Sequence, residues 1–234
     1  MTPILVADRW LLSPALREQV ERITREWAAR EQLAARALRP RTRILLYGPA
    51  DCGQTRLAEH LAQGAGLPVT TVSLAAWRVT PASRRLRALD RWQDTPFLMF
   101  RPDPWWGALE ETLAPDPWMG AMLDGLAARP PTHWIVARTP DRPKWVGIRR
   151  AFDDALGVWP PSPADMAAFV HARLPQVPPT TTLSLSGVLG QASYGDLAAV
   201  CALTEKMMLL GPPTPWSTAF ATASRVVADR QHEG

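Results

Sequence analysis

Long apolar runs are missing from this 234-residue chain. Nothing in it approaches the roughly 20 consecutive apolar residues that cross a bilayer, so a membrane span is not expected. The N-terminus, MTPILVADRWLLSPALRE, lacks a basic start followed by an extended apolar stretch and does not read as a secretory signal. Cysteine is scarce: Cys52 and Cys201 make no disulfide framework. The four histidines carry no HxxxH and the cysteines no CxxC spacing, so no metal is expected. His60, His133 and His171 have no spaced carboxylate or cysteine partners, which leaves no hydrolytic triad to assemble. Lysine is nearly absent, with Lys144 and Lys206 the two among 26 basic residues. A cytoplasmic, metal-free protein is the expectation.

What is present fits a globular chain, 47% hydrophobic and 21% charged, long enough for one domain with an appendage or for two compact domains. The net charge of +4 is uneven, because residues 1–43 hold nine Arg against five Asp or Glu while the remainder balances. The preference for Arg over Lys, alongside many Ala, Pro and Trp residues, reads as a compositional bias and weakens any nucleic-acid argument built on arginine counts.

Ser13-Pro14 reads as an N-cap and first helical position, and Leu16, Val20, Ile23 and Trp27 then recur at helical spacing. The pattern predicts a helix to about Leu38, closed by Pro40. Ile44 to Tyr47 reads as a strand that breaks at Gly48-Pro49, after which Leu57 and Leu61 restart a helix. Further strands are expected at Val69–Leu74, Phe97–Phe100, Trp134–Ala137 and Leu156–Trp159. Strands alternating with helices imply a three-layer α/β sheet. After Trp159, Pro160, Pro161 and Pro163 mark a boundary, and helices are expected at Asp165–Leu174, Val188–Ala192, Tyr194–Leu210 and Pro215–Arg230. The resulting division is a helical segment 1–40, an α/β core 41–160 and a helical domain 161–234.

The segment with chemical content is Gly48-Pro49-Ala50-Asp51-Cys52-Gly53-Gln54-Thr55, between the first strand and a helix. It has P-loop spacing. In that motif glycines let backbone amides face phosphates, the helix N-terminus adds positive potential, a Lys reaches the β and γ oxygens and Ser or Thr holds magnesium. Gln54 stands at the Lys position. Its neutral amide donates a hydrogen bond but does not neutralise charge on a transferring phosphoryl group. A ligand-free strand-to-helix turn is the other reading of the same residues.

With its flanks, the chain resembles the AAA+ ATPases, in particular bacterial members of the AAA clade, over residues 14–210. RILLYGPADCGQTRLAEHLAQGAGLPVTTVSL is similar to that family's first strand, Walker A loop, helix and second strand. HWIVARTPDRP resembles its sensor 1 strand, and IRRAFDDALGVWPPSPADMAAFVHARL its Arg-finger region and lid entry; GQASYGDLAAVCALTEKMM resembles a lid helix. The resemblance implies a parallel sheet ordered 5-1-4-3-2, a C-terminal helical lid, nucleotide (ATP or ADP) at Gly48, Pro49, Asp51, Cys52, Gly53, Gln54 and Thr55, and ring assembly.

The departures fall at catalytic positions. Where the family's third strand ends in the Walker B Asp-Glu, FLMF is followed by Arg101-Pro102, and Asp103 comes two positions late, reading more naturally as a turn or N-cap residue. Sensor 1 Thr-Asn becomes Thr139-Pro140. AAWRVTPAS is shorter than the family's pore loop and keeps Trp77 as its aromatic. Arg149-Arg150 partly preserve the Arg-finger pair and would act on a neighbour's nucleotide; surface pairing with Asp153 or Asp154 is the alternative. A degenerate ATPase centre follows, with weak nucleotide binding, no metal, and an active AAA+ paralogue or other protein as hetero-oligomeric partner. A slow ATPase using Gln54, Thr55 and Asp103 is one rival. A clamp-loader-like or defence-related adaptor on nucleic acid is another.

Three features remain. Arg84, Arg85, Arg87 and Arg91 lie near one helical face and read first as a solvated face, with phosphate tracking as the alternative. Trp105, Trp106 and Trp118 read as buried aromatics or an apolar recognition patch. Cys52 at a helix head suggests a lowered thiol pKa with no base to use it.

Overall fold

The computed structural model describes residues 13–73, 76, 80–101, 122, 124–125, 128–140, 151–178, 180–181, 188–189 and 192–232. The chain divides into two compact units, one of Pro14–Pro49 with Gln54–Val158, the other of Met1–Ser13, Ala50–Gly53 and Trp159–Gly234.

The larger unit holds α1 (Pro14–Ala28), α2 (Arg30–Ala34), β1 (Arg43–Tyr47), α3 (Gln54–Ala65), β2 (Thr70–Val72), α4 (Ala82–Gln93), β3 (Phe97–Phe100), β4 (Trp134–Thr139) and β5 (Asp154–Gly157). The five strands form one parallel sheet in the order β2-β3-β4-β1-β5. This is the order that the sequence resemblance implies. Pairing Leu45 with Ala137 and Leu98 with Ile135 sets the register in the middle of the sheet. Strands such as FLMF are buried along their whole length, as expected of a parallel sheet covered on both faces.

Two-residue alternation separates the faces. Leu45, Leu98, Phe100, Ile135 and Ala137 lie in one cluster, against which Ala88 and Trp92 of α4 pack. From the other face Trp134 stacks on Phe97 at 5.7 Å between ring centroids and meets Trp27 of α1 edge-on at 5.4 Å. Helices on both faces give the three-layer α/β fold. Leu16, Val20, Ile23 and Trp27 are all buried, so the apolar stripe of α1 is the sheet-facing one.

Several boundaries differ from expectation: β4 runs on to Thr139, α5 covers Pro163–Arg173 and α7 covers Trp216–His232, and three other differences have a local cause. The first helix stops at Ala28, and after a break at Ala29 the short α2 ends with Ala37 in the left-handed region while the Leu38 amide bonds to the Leu33 carbonyl. Val69 is exposed, and β2 runs over Thr70–Val72. The last strand starts two residues before Leu156, at Asp154, and ends at Gly157, leaving Trp159 59% exposed. Asp-Asp hid its start because aspartate is depleted in strands. Here the Asp153 carboxylate accepts from the Thr42 and Arg43 amides at 2.9 Å, and Asp154 pairs with Arg41 at 2.7 Å.

The second unit contains α5 (Pro163–Arg173), α6 (Tyr194–Leu210) and α7 (Trp216–His232). Ser162 and Ser193 start α5 and α6 with reciprocal capping boxes to Asp165 and Asp196. Phe169, Val170, Leu197, Val200, Cys201 and Phe220 contribute to its core. Among the described residues no helix is long and apolar enough to cross a membrane.

Candidate functional site

The loop after β1 begins in a space that only glycine fits. The Gly48 amide donates to the Thr139 carbonyl at the end of β4 at 3.2 Å, and on the other side the Val158 amide donates to the Tyr47 carbonyl at 2.8 Å. Gly48 has φ +145°, and a Cβ there would lie 2.0 Å from the Val158 carbonyl oxygen. Further on, Asp51 (φ 57°) and Gly53 (φ +98°) are both left-handed. A side chain at Gly53 would meet nothing within 4 Å, so the backbone angle alone calls for glycine there.

Among the described residues no main-chain carbonyl accepts from the amides of residues 50–55. Left-handed residues of this kind recur in the backbone nests that bind anions, and the first-turn amides of a helix have no partner within it.

Gln54 is used differently from a phosphate-binding lysine. It is 5% exposed, and its Nε2 donates to the Gly48 carbonyl at 2.6 Å and to the Thr139 carbonyl at 3.4 Å. Both amide protons are directed at backbone oxygens, so Gln54 ties the root of the loop to the end of β4. The sensor 1 position contributes through its backbone: Thr139 is buried and its carbonyl serves both Gly48 and Gln54. Pro49 and Asp51 are exposed and Thr55 is half-buried.

Ala50–Gly53 belongs to the unit of the C-terminal helices, where the Gly195 amide donates to the Asp51 carbonyl at 3.4 Å. A Cβ on Gly195 would come within 3.2 Å of the Asp51 Cβ and 3.3 Å of the Ser193 Oγ, so the close approach is made by a glycine that sequence reading did not single out. Its signal was the Tyr194-Gly195-Asp196 start of the lid-like helix. The suggested lowering of the Cys52 thiol pKa is overturned. Burial pushes that thiol up, and the charges of Asp51 and Asp196 add to the effect. Burial also raises the Tyr194 hydroxyl, with smaller contributions from Asp165 and Cys52.

At the end of β3 stands Arg101, exposed, its amide bonded to the Val72 carbonyl at 2.9 Å. Among the described residues no three His, Cys, Asp or Glu side chains converge to hold a metal ion. Asp103, Trp77, Trp105, Trp106, Trp118, Arg149 and Arg150 lie outside the described residues. Of the carboxylates weighed as partners for those two arginines, Asp153 caps the start of β1 and Asp154 pairs with Arg41.

No protein-family model matches the sequence, and no curated protein sequence does. Solved structures do match in fold. The FIGL-1 AAA domain in complex with ADP is 16% identical, with a TM-score of 0.66 over 92% of this chain and 81% of that one. A second structure of the FIGL-1 AAA domain is 15% identical, with a TM-score of 0.68 over 92% of this chain and 80% of that one. At such identities the likeness is one of fold: the chain has the fold of an AAA domain, with its five-stranded parallel sheet and C-terminal helices.

Proposed function

We propose that this chain is a catalytically degenerate AAA+-like protein that binds nucleotide weakly at the loop of residues 48–55 and serves as a non-hydrolysing subunit or regulator of an active AAA+ ATPase. The observation that carries the reading is the direction of Gln54. The residue at the lysine position is neutral, buried and bonded to Gly48 and Thr139, so it preserves the shape of the loop without supplying charge to a phosphate. Arg101 after β3 and Pro140 after β4 support it, because carboxylates that hold magnesium and an amide that orients water are the groups in which hydrolysis is invested. When bound, ATP would bring a transferable phosphoryl group; this chain's own atoms hold the phosphates through the amides of residues 50–55.

Steady-state phosphate release and calorimetric titration test this. Hydrolysis is expected to be unmeasurable for the isolated protein, since each missing group is typically worth a factor of about a hundred or more. Binding of ADP or ATP is expected to be weak and little changed by magnesium. Gln54→Lys alone should strengthen binding without restoring turnover. Turnover abolished by Thr55→Ala would overturn the reading in favour of the slow ATPase.

A further inference from the structure

An open groove of about 620 Å³ runs along α4, away from the phosphate loop in sequence, and is lined by Thr80, Arg84, Arg87, Ala88, Asp90 and Arg91. The arginines recur at i, i+3 and i+7, which puts them on one side of the helix. All three are exposed, and among the described residues none forms an ion pair with a carboxylate; Arg91 Nε donates weakly to the Arg87 carbonyl at 3.4 Å. Asp90 is the one carboxylate among the described lining residues, against three arginines, so the described lining carries an excess of positive charge. At about 1.5 Å rise per residue the row spans roughly 10 Å, and each of its three guanidinium groups can meet one phosphate of a nucleic-acid strand.

We propose that this row of α4 binds the sugar-phosphate backbone of a nucleic acid, independently of sequence. An acidic protein segment would be the other polyanion, but such segments anchor through apolar side chains set between their charges, and among the described residues the groove offers Ala88 and no large apolar or aromatic lining residue. The described lining likewise has no Asn or Gln to read base edges and no ring on which a base could stack, so the contacts proposed are to phosphates. Guanidinium groups suit them because each presents two parallel N–H donors to two oxygens. The proposal stands apart from the nucleotide loop and does not depend on it.

Fluorescence anisotropy of the full chain with labelled single-stranded and duplex oligonucleotides of unrelated sequence, between 50 and 200 mM salt, tests it. Three phosphate contacts predict a slope of log affinity against log salt of about −2.1 for single strands to about −2.7 for duplex, a loss of roughly twenty- to fortyfold over that range, alike for all sequences. Arg84→Ala, Arg87→Ala and Arg91→Ala together should bring the slope close to zero, whereas the triple Lys replacement should keep it. If the triple Ala protein does not fold, Arg87→Gln alone should lower the slope by about one. Arg36→Ala with Arg39→Ala removes exposed charge elsewhere and should leave the slope unchanged. The proposal is overturned by no binding at 50 mM salt, by a slope that the α4 substitutions do not change, by an equal effect of the Arg36 and Arg39 pair, or by tighter binding of a poly-glutamate peptide of equal charge.

Discussion

At the residue scale, two glycines in one loop are required for different reasons, and their substitutions should separate. Gly48→Ala drives a methyl group into the Val158 carbonyl, 2.0 Å away, between strands that cannot part without loss of their bonds. Gly53→Ala meets nothing within 4 Å and costs backbone strain alone. Urea denaturation should show about 1–2 kcal/mol lost at Gly53 and more than about 3 kcal/mol, or failure to accumulate folded protein, at Gly48. The cysteines make a second residue-level case. Both are buried, and burial lifts both thiols, Cys201 to about 12. Since the thiolate is the reactive form, a disulfide reagent at pH 8 should modify neither in the folded protein and both once urea has unfolded it. Rapid modification of Cys52 in the folded state would contradict its placement.

At the element scale, α1 is joined to the start of β1 by Arg41, which pairs with Glu26 at 2.6 Å and Asp154 at 2.7 Å. The hydrogen bond from Arg41 holds the Glu26 carboxyl below its ordinary range of about 4.5, against the opposing effect of burial. A depressed carboxyl pKa stabilises the fold above the unfolded-state value, and that contribution disappears as pH falls through the folded-state value. Glu26→Gln should therefore cost about 1–2 kcal/mol at pH 7, visible as a lower melting temperature. The gap from the unsubstituted protein should narrow as pH falls below the ordinary carboxyl value of about 4.5 and close once pH is below the depressed folded-state value. A gap that persists at low pH would mean that packing of α1, rather than the ion pair, was lost. Trp27 makes a related point about this helix: it is buried against Trp134, so it is unavailable as a contact for a neighbouring subunit.

At the scale of the whole molecule, the proposed partnership starts from the fold of an AAA domain with Gln54 at the lysine position of its loop. Arg149 and Arg150 are its candidate contribution to a neighbour's nucleotide. An arginine supplied to another site can raise phosphoryl-transfer rates on the order of a thousandfold. In a complex with an active ATPase of this fold, Arg149→Ala with Arg150→Ala should lower the partner's turnover and leave the complex intact by size-exclusion chromatography. An unchanged rate in an intact complex would limit the subunit to scaffolding.

Much of the architecture was legible because it follows from local patterns. Buried apolar runs such as FLMF and helical stripes such as Leu16, Val20, Ile23 and Trp27 depend on residues close in the chain, and they specified strands, helices and an α/β sheet. The P-loop spacing likewise marked Gly48 and Gly53, since a sharp strand-to-helix turn needs positive φ whatever surrounds it. Tertiary structure decided what the spacing could not carry. Gln54 turns inward because the Gly48 and Thr139 carbonyls, six and 85 residues away, need donors in a buried place. The Cys52 thiol is raised rather than lowered because it is buried and the charges of Asp51 and Asp196 add to the effect. β5 begins at Asp154, directly after Asp153, because partners from β1 and the residues before it, more than 100 positions earlier, satisfy both carboxylates. Each of these outcomes depends on hydrogen bonding or desolvation by groups distant in sequence, and such groups become neighbours only once the chain has folded.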